Sequence, residues 1–133
     1  MNYTVYLASR YEDRPRMQEW KERLEDKGFF VSSRWINGSH EIISDAKGDE
    51  DRRRFAEEDL ADLLAADIFL CHSDPSFFRS GRGGRHVEFG MAVATGKRIL
   101  LVGERENVFH WLPGVEVYLT FKLALDALAR DGT

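Results

Sequence analysis

The feature that most constrains the fold of this chain is a regular alternation between short apolar runs and longer amphipathic segments. Runs rich in β-branched and aromatic residues are typical of buried strands, and apolar residues spaced three and four apart are typical of helices. The predicted strands are Tyr3–Ala8, Phe29–Ser33, Asp67–Cys71, Arg98–Gly103 and Val115–Leu119. The predicted helices are Met17–Asp26, Glu57–Ala66, Gly84–Thr95 and a last helix that Thr120 caps and that runs to about Arg130.

Strands that alternate with helices form a parallel sheet with helices on both faces. The sequence therefore predicts an α/β fold, a three-layer, Rossmann-like (flavodoxin-like) sandwich around a five-stranded, mainly parallel sheet. A length of 133 residues with 43% hydrophobic residues is enough for one core and leaves little room for a second. We therefore expect a single domain over residues 1–133.

Three local features predict how the elements pack. Leu60, Leu63 and Leu64 form the predicted apolar face of the second helix. Asp67 is predicted to have a structural role, capping the start of a strand. The polar stretch from Asn37 to Asp51 has no consistent period, and a stretch of that size in a small domain is more often a functional loop than filler.

Charge and composition disfavour several classes of protein. Lys and Arg number 19 against 23 Asp and Glu, a net charge of −4, whereas a duplex-binding protein of this size has a basic excess. The apolar runs are far shorter than the ~20 residues needed to span a bilayer, and no signal peptide is visible. The single cysteine, Cys71, excludes an internal disulfide and a cysteine-rich zinc site. We expect a cytoplasmic protein that binds neither nucleic acid nor a membrane.

A glycine-rich segment, Gly81–Ala92, follows the third predicted strand and opens the third helix. Ligands of open parallel sheets bind beyond the carboxyl ends of the strands. Glycines there let the backbone approach a ligand, and the free N–H groups of a helix start can bind an anion. The segment lacks the Lys-Ser/Thr ending of a P-loop and the dinucleotide-binding fingerprint, which disfavours ATP hydrolysis and NAD binding.

Two carboxylates are candidates for chemistry. Glu88 stands among apolar and small residues in the first turns of the third helix, where it is either stabilised by the helix dipole or turned towards the ligand crevice. Asp59 lies about two turns before the third strand, among acidic residues of which most are expected to be solvated. The residue types alone leave both alternatives open for each carboxylate.

Three elements, in this order along the chain, resemble the nucleoside 2-deoxyribosyltransferase family, whose relatives include deoxynucleoside 5′-monophosphate and cytidylate N-glycosidases. The elements are Tyr6-Leu7-Ala8-Ser9 on the first strand, Asp59 with Asp67 before the third, and Gly84-Arg85-His86-Val87-Glu88-Phe89-Gly90-Met91-Ala92. The resemblance extends from Tyr3 to about Leu128. It implies an enzyme that cleaves the N-glycosidic bond of a (deoxy)nucleoside or its 5′-monophosphate and releases or exchanges the nucleobase.

The resemblance also implies roles for three side chains. Glu88 would be the nucleophile that forms a covalent glycosyl ester, and Asp59 the general acid/base that assists departure of the base. Tyr6 would hydrogen-bond Glu88 and hold its rotamer, and the start of the helix would keep Glu88 ionised. No metal or cofactor is implied, and the histidines are scattered rather than at ligand spacing: His40, His72, His86 and His110.

The glycine-rich segment departs from the family pattern in one respect. The transferases carry an acidic residue six positions before the nucleophile, where this chain has Arg82, near Arg79 and Arg85. An arginine-rich turn at a helix start favours a 5′-phosphate, and a solvated loop is the alternative. The predicted contacts to the phosphate and sugar are Ser9, Arg10, Ser80, Arg82, Gly83, Gly84 and Arg85.

Aromatic residues supply two further predictions. Trp35, after the second strand, either stacks on the nucleobase or closes the core. The segment from Asn107 to Gly114 is unusually aromatic for a loop, and in the family this region reaches across a dimer interface into the neighbour's pocket. The resemblance thus implies a homo-oligomer, a dimer or an assembly of dimers, with interface packing without catalysis as the alternative. The residues predicted to contact substrate there are Asn107, Phe109 and His110.

The sequence is compatible with two classes of function. The first is the glycosidic-bond enzyme that the resemblance implies. The second is a nucleotide-binding sensor or regulatory module that uses the same pocket without turnover, because a fold does not fix a function. The presence of all three candidate catalytic residues favours the enzyme.

Overall fold

The computed structural model of the protein describes residues 2–38, 48–73 and 83–131. In these ranges the strands are β1 (Thr4–Ala8), β2 (Phe30–Val31), β3 (Ile68–His72), β4 (Arg98–Val102) and β5 (Val115–Tyr118). The α-helices are α1 (Arg14–Asp26), α2 (Gly48–Leu64), α3 (Gly84–Ala94) and α4 (Phe121–Arg130). Short 3₁₀ turns follow β1 at Tyr11–Asp13, β2 at Arg34–Asn37 and β4 at Val108–Trp111.

The strands form one sheet in the order β2-β1-β3-β4-β5, and every neighbouring pair is parallel. This order confirms the predicted α/β class and its Rossmann-like, flavodoxin-like arrangement. The chain runs from β1 outward to β2 and then returns to the other side of β1 to form β3. The connections that leave the carboxyl ends of β1 and β3 therefore diverge, and open parallel sheets bind their ligands at such a switch point.

The core contains the residues of α1 that the sequence periodicity indicates. Met17, Trp20 and Leu24 of α1 are buried, in agreement with their spacing of three and four residues. Strands covered on both faces are continuous apolar runs, and residues Val5–Ala8 of β1 are fully buried. In the described part of the chain, no helix combines the length and the apolar character needed to cross a membrane.

The predicted start of α2 is wrong. The helix begins at Gly48 rather than at Glu57, so residues 48–51 of the predicted functional loop are helical. Acidic side chains in a first helical turn are stabilised by the helix dipole, and Asp49–Asp51 supply them here. Residues 39–47 of the predicted loop lie outside the described ranges.

The predicted apolar face of α2 is wrong at two of its three positions. Leu63 is buried, but Leu60 and Leu64 are 43% and 50% exposed. The other large buried side chains of this helix are Phe55 and Asp62. An acidic residue thus occupies a buried position that leucine spacing alone does not indicate.

Asp62 joins α2 to the turn that follows β2. Its Oδ2 accepts a hydrogen bond from Arg34 N at 3.0 Å, and Arg34 Nε lies 3.0 Å from Oδ1. Ser32 Oγ donates to the carbonyl oxygen of Asp62 at 2.8 Å. Buried carboxylates require donors of this kind, so the helix and the turn at residues 34–37 are fixed to each other.

Two polar residues have the end-capping roles that the sequence assigns to them. Asp67 Oδ2 accepts a hydrogen bond from Thr4 N at 2.9 Å, at the start of β1. Thr120 Oγ1 accepts one from Leu123 N at 3.3 Å, at the start of α4. The second strand is shorter than predicted, because β2 pairs with β1 through only Phe30 and Val31.

We expect Gly103→Ala to destabilise the protein more than Gly96→Ala. Both glycines have a positive φ, +114° and +72°, where a side chain costs about 1–2 kcal/mol. A Cβ at Gly103 would also lie 3.0 Å from the Ser73 carbonyl oxygen, whereas at Gly96 no described atom lies within 4 Å. Urea denaturation measures both losses in unfolding free energy, and equal losses would contradict a contribution from the close approach to Ser73.

Candidate active site

A tyrosine in the sheet and a glutamate on the neighbouring helix form the centre of the site. Tyr6 is fully buried in β1, and its hydroxyl donates a hydrogen bond to Glu88 Oε2. The tyrosine ring stacks on Phe69, its partner residue on β3, with ring centroids 5.9 Å apart and planes 7° apart. Because stacking on Phe69 fixes the tyrosine ring, the hydroxyl holds the Glu88 carboxylate in one position.

The start of α3, at a glycine, sets the position of Glu88 in the site. Gly83, the N-cap, has φ +83°, a left-handed conformation that glycine adopts without strain. Phe89 and Ala92 on the same helix are buried, and Val87 is exposed. The carboxylate of Glu88 therefore lies at the boundary between the core and the solvent-facing side of α3.

A cleft of about 570 Å³ opens over this carboxylate. It lies beyond β1, between the 3₁₀ turns after β1 and β2 and the helices α2 and α3. Predicted site residues that line it are Ser9, Arg10, Trp35, Asp59, Gly83, Gly84, Arg85 and Glu88. Lining residues that the sequence did not indicate are Tyr11, Glu12, Ala56, Leu60, Leu63, Val87 and Met91.

Some of these missed residues have a signal in the sequence. Leu60 is adjacent to Asp59, Val87 is adjacent to Glu88, and Met91 lies three positions after Glu88. Residues three or four apart share a helix face, so helical spacing from the candidate carboxylates could have found Met91. Glu12 has no comparable signal, since its place in the cleft depends on the 3₁₀ turn after β1.

Burial makes the Glu88 carboxylate hard to ionise. Desolvation raises its pKa from 4.5 to about 7, with the negative charge of Asp59 adding to the increase and the hydrogen bond from Tyr6 opposing it. The start of the helix therefore does not keep Glu88 fully ionised at neutral pH, in contrast to the expectation from the sequence. Glu88 is the fifth residue of α3, and the dipole effect is largest within the first turn. Burial and Glu88 raise the pKa of Tyr6, so its hydroxyl remains a donor.

The predicted contacts near β1 and β2 have partners within the protein. Ser9 Oγ donates to Asp13 Oδ2 at 2.7 Å, in the turn after β1. Trp35 is 5% exposed, and its Nε1 donates to the Leu7 carbonyl oxygen at 2.8 Å. The indole thus packs in the core while it lines the cleft, so the alternatives of a core residue and a base-facing residue are compatible.

Arg85 is held in an ion pair. Its Nη2 lies 2.7 Å from Glu106 Oε1, and its Nη1 contacts Oε2 of the same carboxylate. Both side chains are nearly buried, with 12% and 11% of their surface exposed. Arg85 lines the cleft, but its two terminal nitrogens are directed to Glu106 rather than to open space.

The structure does not bring the predicted residues of the aromatic segment into the cleft of their own chain. His110 is 2% exposed, and its Nδ1 accepts a hydrogen bond from Glu106 N at 2.9 Å. Asn107 caps the 3₁₀ turn by accepting from Phe109 N, and the Phe109 side chain is 64% exposed. Ser80 and Arg82 lie outside the described ranges, so their predicted contacts stay predictions.

Comparisons with known proteins identify the family and the fold of the chain. The model of a family described as nucleoside 2-deoxyribosyltransferase matches residues 5–125. A solved 2-deoxyribosyltransferase of Bacillus psychrosaccharolyticus shares 21% identity over 95% of each chain, with a TM-score of 0.73. The CMP N-glycosidase BcmB of Clostridium botulinum shares 24% identity over 94% of this chain and 97% of its own, with a TM-score of 0.55. No curated protein matches the chain.

We expect Glu88→Gln to stabilise the protein at alkaline pH and to have little effect at acid pH. The folded-state pKa of Glu88 lies above its ordinary value, so the folded protein loses stability as the pH rises from 4.5 through 7. A neutral glutamine avoids this loss, a gain of roughly 3 kcal/mol above pH 8. Urea denaturation at pH 4 and pH 8.5 measures the difference.

The matched control is Glu57→Gln, at an exposed position of the preceding helix. It should leave the pH dependence of the unfolding free energy as in the unmodified protein. A pH-independent effect of Glu88→Gln would contradict the raised pKa.

Proposed function

Because the chain belongs to the nucleoside 2-deoxyribosyltransferase family, we propose that it cleaves the N-glycosidic bond of a nucleoside 5′-monophosphate and releases the base. The observation that carries this proposal is the hydrogen bond from Tyr6 to Glu88 in a cleft that Asp59 also lines. Cleavage with a covalent intermediate requires two carboxyl groups of the enzyme that reach the same substrate. One attacks the sugar and the other transfers protons.

In the first proposed step, an oxygen of the Glu88 carboxylate attacks the anomeric carbon of the sugar. The bond between that carbon and the base nitrogen breaks, and its electron pair stays on the base. Asp59, which in the reactive state holds the single proton of the two carboxyl groups, donates that proton to the base. The products of this step are a glycosyl ester on Glu88, a neutral free base and an Asp59 carboxylate. The hydrogen bond from Tyr6 holds the attacking carboxylate in place while it approaches the sugar.

In the second step, water attacks the same anomeric carbon. The Asp59 carboxylate takes a proton from the water, the ester bond to Glu88 breaks, and the Glu88 carboxylate is regenerated. The sugar leaves with a hydroxyl group in place of the base, and both carboxyl groups return to their starting states. A second free base in place of water would give base exchange by the same route.

Arg10 and the start of α3 support a phosphate on the substrate. Arg10 lines the cleft, and the backbone of Gly83 and Gly84 at the start of α3 lines the same region. Free N–H groups at a helix start and arginine side chains both favour phosphate oxygens. One structural neighbour is a CMP N-glycosidase, and CMP is a nucleoside 5′-monophosphate.

We further propose that the protein acts as a homodimer. Val108, Phe109 and Trp111 are 74%, 64% and 61% exposed, more than is usual for neighbouring large apolar residues. A second copy that covers this turn would bring Asn107 and Phe109 to the cleft of its neighbour. Analytical ultracentrifugation of the unmodified protein, with Phe109→Ser for comparison, measures whether this turn holds two copies together.

We expect the purified protein to release free base from 5′-monophosphates in the absence of any acceptor base. Ribo- and deoxyribonucleosides and their 5′-monophosphates are each incubated with and without a second base, and free base is followed by chromatography. Glu88→Gln should lower the release by at least about 10³-fold, whereas Glu57→Gln should not change it. Intact-mass spectrometry after an acid quench should detect one glycosyl group on the unmodified protein and none on Glu88→Gln.

Three other outcomes would change the assignment. Release only in the presence of an acceptor base would make the protein a transferase. Release from nucleosides but not from monophosphates would contradict the proposed phosphate contacts. Binding of nucleotides without any release would favour a sensor or regulatory module in the same cleft.

We expect Tyr6→Phe to move the acid limb of kcat/KM to higher pH. The nucleophile acts when ionised, so activity should rise with pH around the Glu88 pKa of about 7. The hydrogen bond from Tyr6 lowers that pKa, and its removal raises it further. Tyr118→Phe is the control, because Tyr118 also donates to a glutamate, Glu116, at 2.8 Å. An acid limb that stays in place in Tyr6→Phe would contradict this role of the hydroxyl.

A further inference from the structure

We propose that Arg85, Glu106 and His110 are positioning residues that hold the first two turns of α3 and thereby place the Glu88 carboxylate against Tyr6. This inference rests on the proposed function, because it assigns a catalytic consequence to the position of Glu88. It also gives Arg85 and His110 roles other than direct contact with substrate.

The start of α3 needs support from elsewhere in the fold. Its N-cap is Gly83, which makes no side-chain capping hydrogen bond within the described structure, and the next residue is also a glycine. Glycine is unfavourable in helices because it loses more conformational freedom on folding than other residues. Arg85 is the second residue of this helix and lies three positions before Glu88, so it shares a helix face with it.

The Arg85–Glu106 pair supplies that support. Two parallel contacts join the guanidinium to the carboxylate, an arrangement that fixes orientation as well as distance. Burial raises the pKa of Glu106, but the hydrogen bond and charge of Arg85 and a hydrogen bond from Ser73 outweigh it and lower the pKa to about 2. Glu106 is thus a carboxylate over the whole range in which the protein would act.

Glu106 is itself fixed from two directions. Ser73 Oγ, just beyond the end of β3, lies 3.0 Å from Glu106 Oε2. The backbone N–H of Glu106 donates to His110 Nδ1 at 2.9 Å, and burial lowers the pKa of His110, which keeps its ring neutral and able to accept. The segment after β4 therefore provides a rigid anchor for Arg85.

The segment after β4 also supports α3 through a row of aromatic rings on the buried side of the helix. The His110 ring meets Phe89 edge to face, with centroids 4.7 Å apart. Phe89 meets Phe69 at 6.2 Å, and Phe69 stacks on Tyr6 at 5.9 Å. Phe89 is adjacent to Glu88 in the chain, so the two ends of the Tyr6–Glu88 hydrogen bond are held by one continuous set of buried contacts.

The test compares two bidentate pairs in the same protein. Arg85→Met and Glu106→Gln break the pair at the site, and the double variant completes a cycle. Arg98→Met and Glu116→Gln break the control pair, whose atoms lie 2.7 and 3.0 Å apart. Arg98 is the first residue of β4, so the control pair lies at the amino end of the strands, whereas the cleft lies beyond their carboxyl ends.

We expect each site variant to lower kcat by about 10- to 100-fold, the size of effect that small misplacement of a catalytic group produces, with KM changed less than twofold. The double variant should lose no more than the larger single loss, because both changes break one contact. Arg85→Lys should recover part of the activity through one remaining contact. The control pair should leave kcat within twofold.

Two kinetic outcomes would overturn the proposal. A raised KM for monophosphates with unchanged kcat in Arg85→Met, together with an unaffected Glu106→Gln, would make Arg85 a phosphate ligand. Equal losses of kcat in the site pair and the control pair would make the effect one of general stability.

A second measurement needs no turnover and so separates this inference from the proposed function. Carbon-13 NMR titration of the Glu88 carboxyl, assigned with Glu88→Gln, reports how well water is excluded from it. In Arg85→Met a loosened helix start admits water and lowers the pKa of Glu88, whereas simple loss of a nearby positive charge would raise it. An unchanged or higher pKa in Arg85→Met would overturn the proposal, even if the unmodified protein released base.

Discussion

The hydrogen bond between Tyr6 and Glu88 is the contact on which the rest of the site depends. It joins a strand near the middle of the sheet to a helix that arrives some 80 residues later in the chain. A link of this kind forms only when β1, β3 and α3 are all in place, so the site exists only in the completed fold. Phe69 supports the tyrosine ring and Phe89 supports the helix, and core packing therefore sets the geometry of the carboxylate.

The position of Glu88 places two requirements in opposition. A nucleophile must be ionised, but exclusion of water makes ionisation costly, and a second carboxylate nearby increases that cost. The tyrosine hydroxyl reduces it without adding a positive charge to the cleft. The result is a carboxyl group that is held in place and poorly solvated, with a pKa near neutral pH. This state favours attack on an electron-poor carbon.

The sequence predicts the parts of this arrangement that depend on local pattern. Strand and helix alternation predicts the sheet, and the resemblance to a known family implies that Tyr6, Asp59 and Glu88 belong to one site. It does not predict that Asp62 is buried, because the donors that make burial possible belong to a different segment of the chain. It also suggests Arg85 as a phosphate ligand, since nothing local indicates that Glu106, 21 positions later, pairs with it. Electrostatic partners distant in sequence are what pattern alone cannot supply.

The cleft has two walls of separate origin. One wall comes from the sheet and α3 and carries Tyr6 and Glu88, while the other comes from α2 and the turn after β2 and carries Trp35. The second wall is fixed by its own contact, between Asp62 and Arg34. Such a division permits modular diversification: a lineage can remodel the turn after β2 while the elements that carry Tyr6, Asp59 and Glu88 are inherited unaltered. Chemistry and selectivity can then evolve at different rates within one small fold.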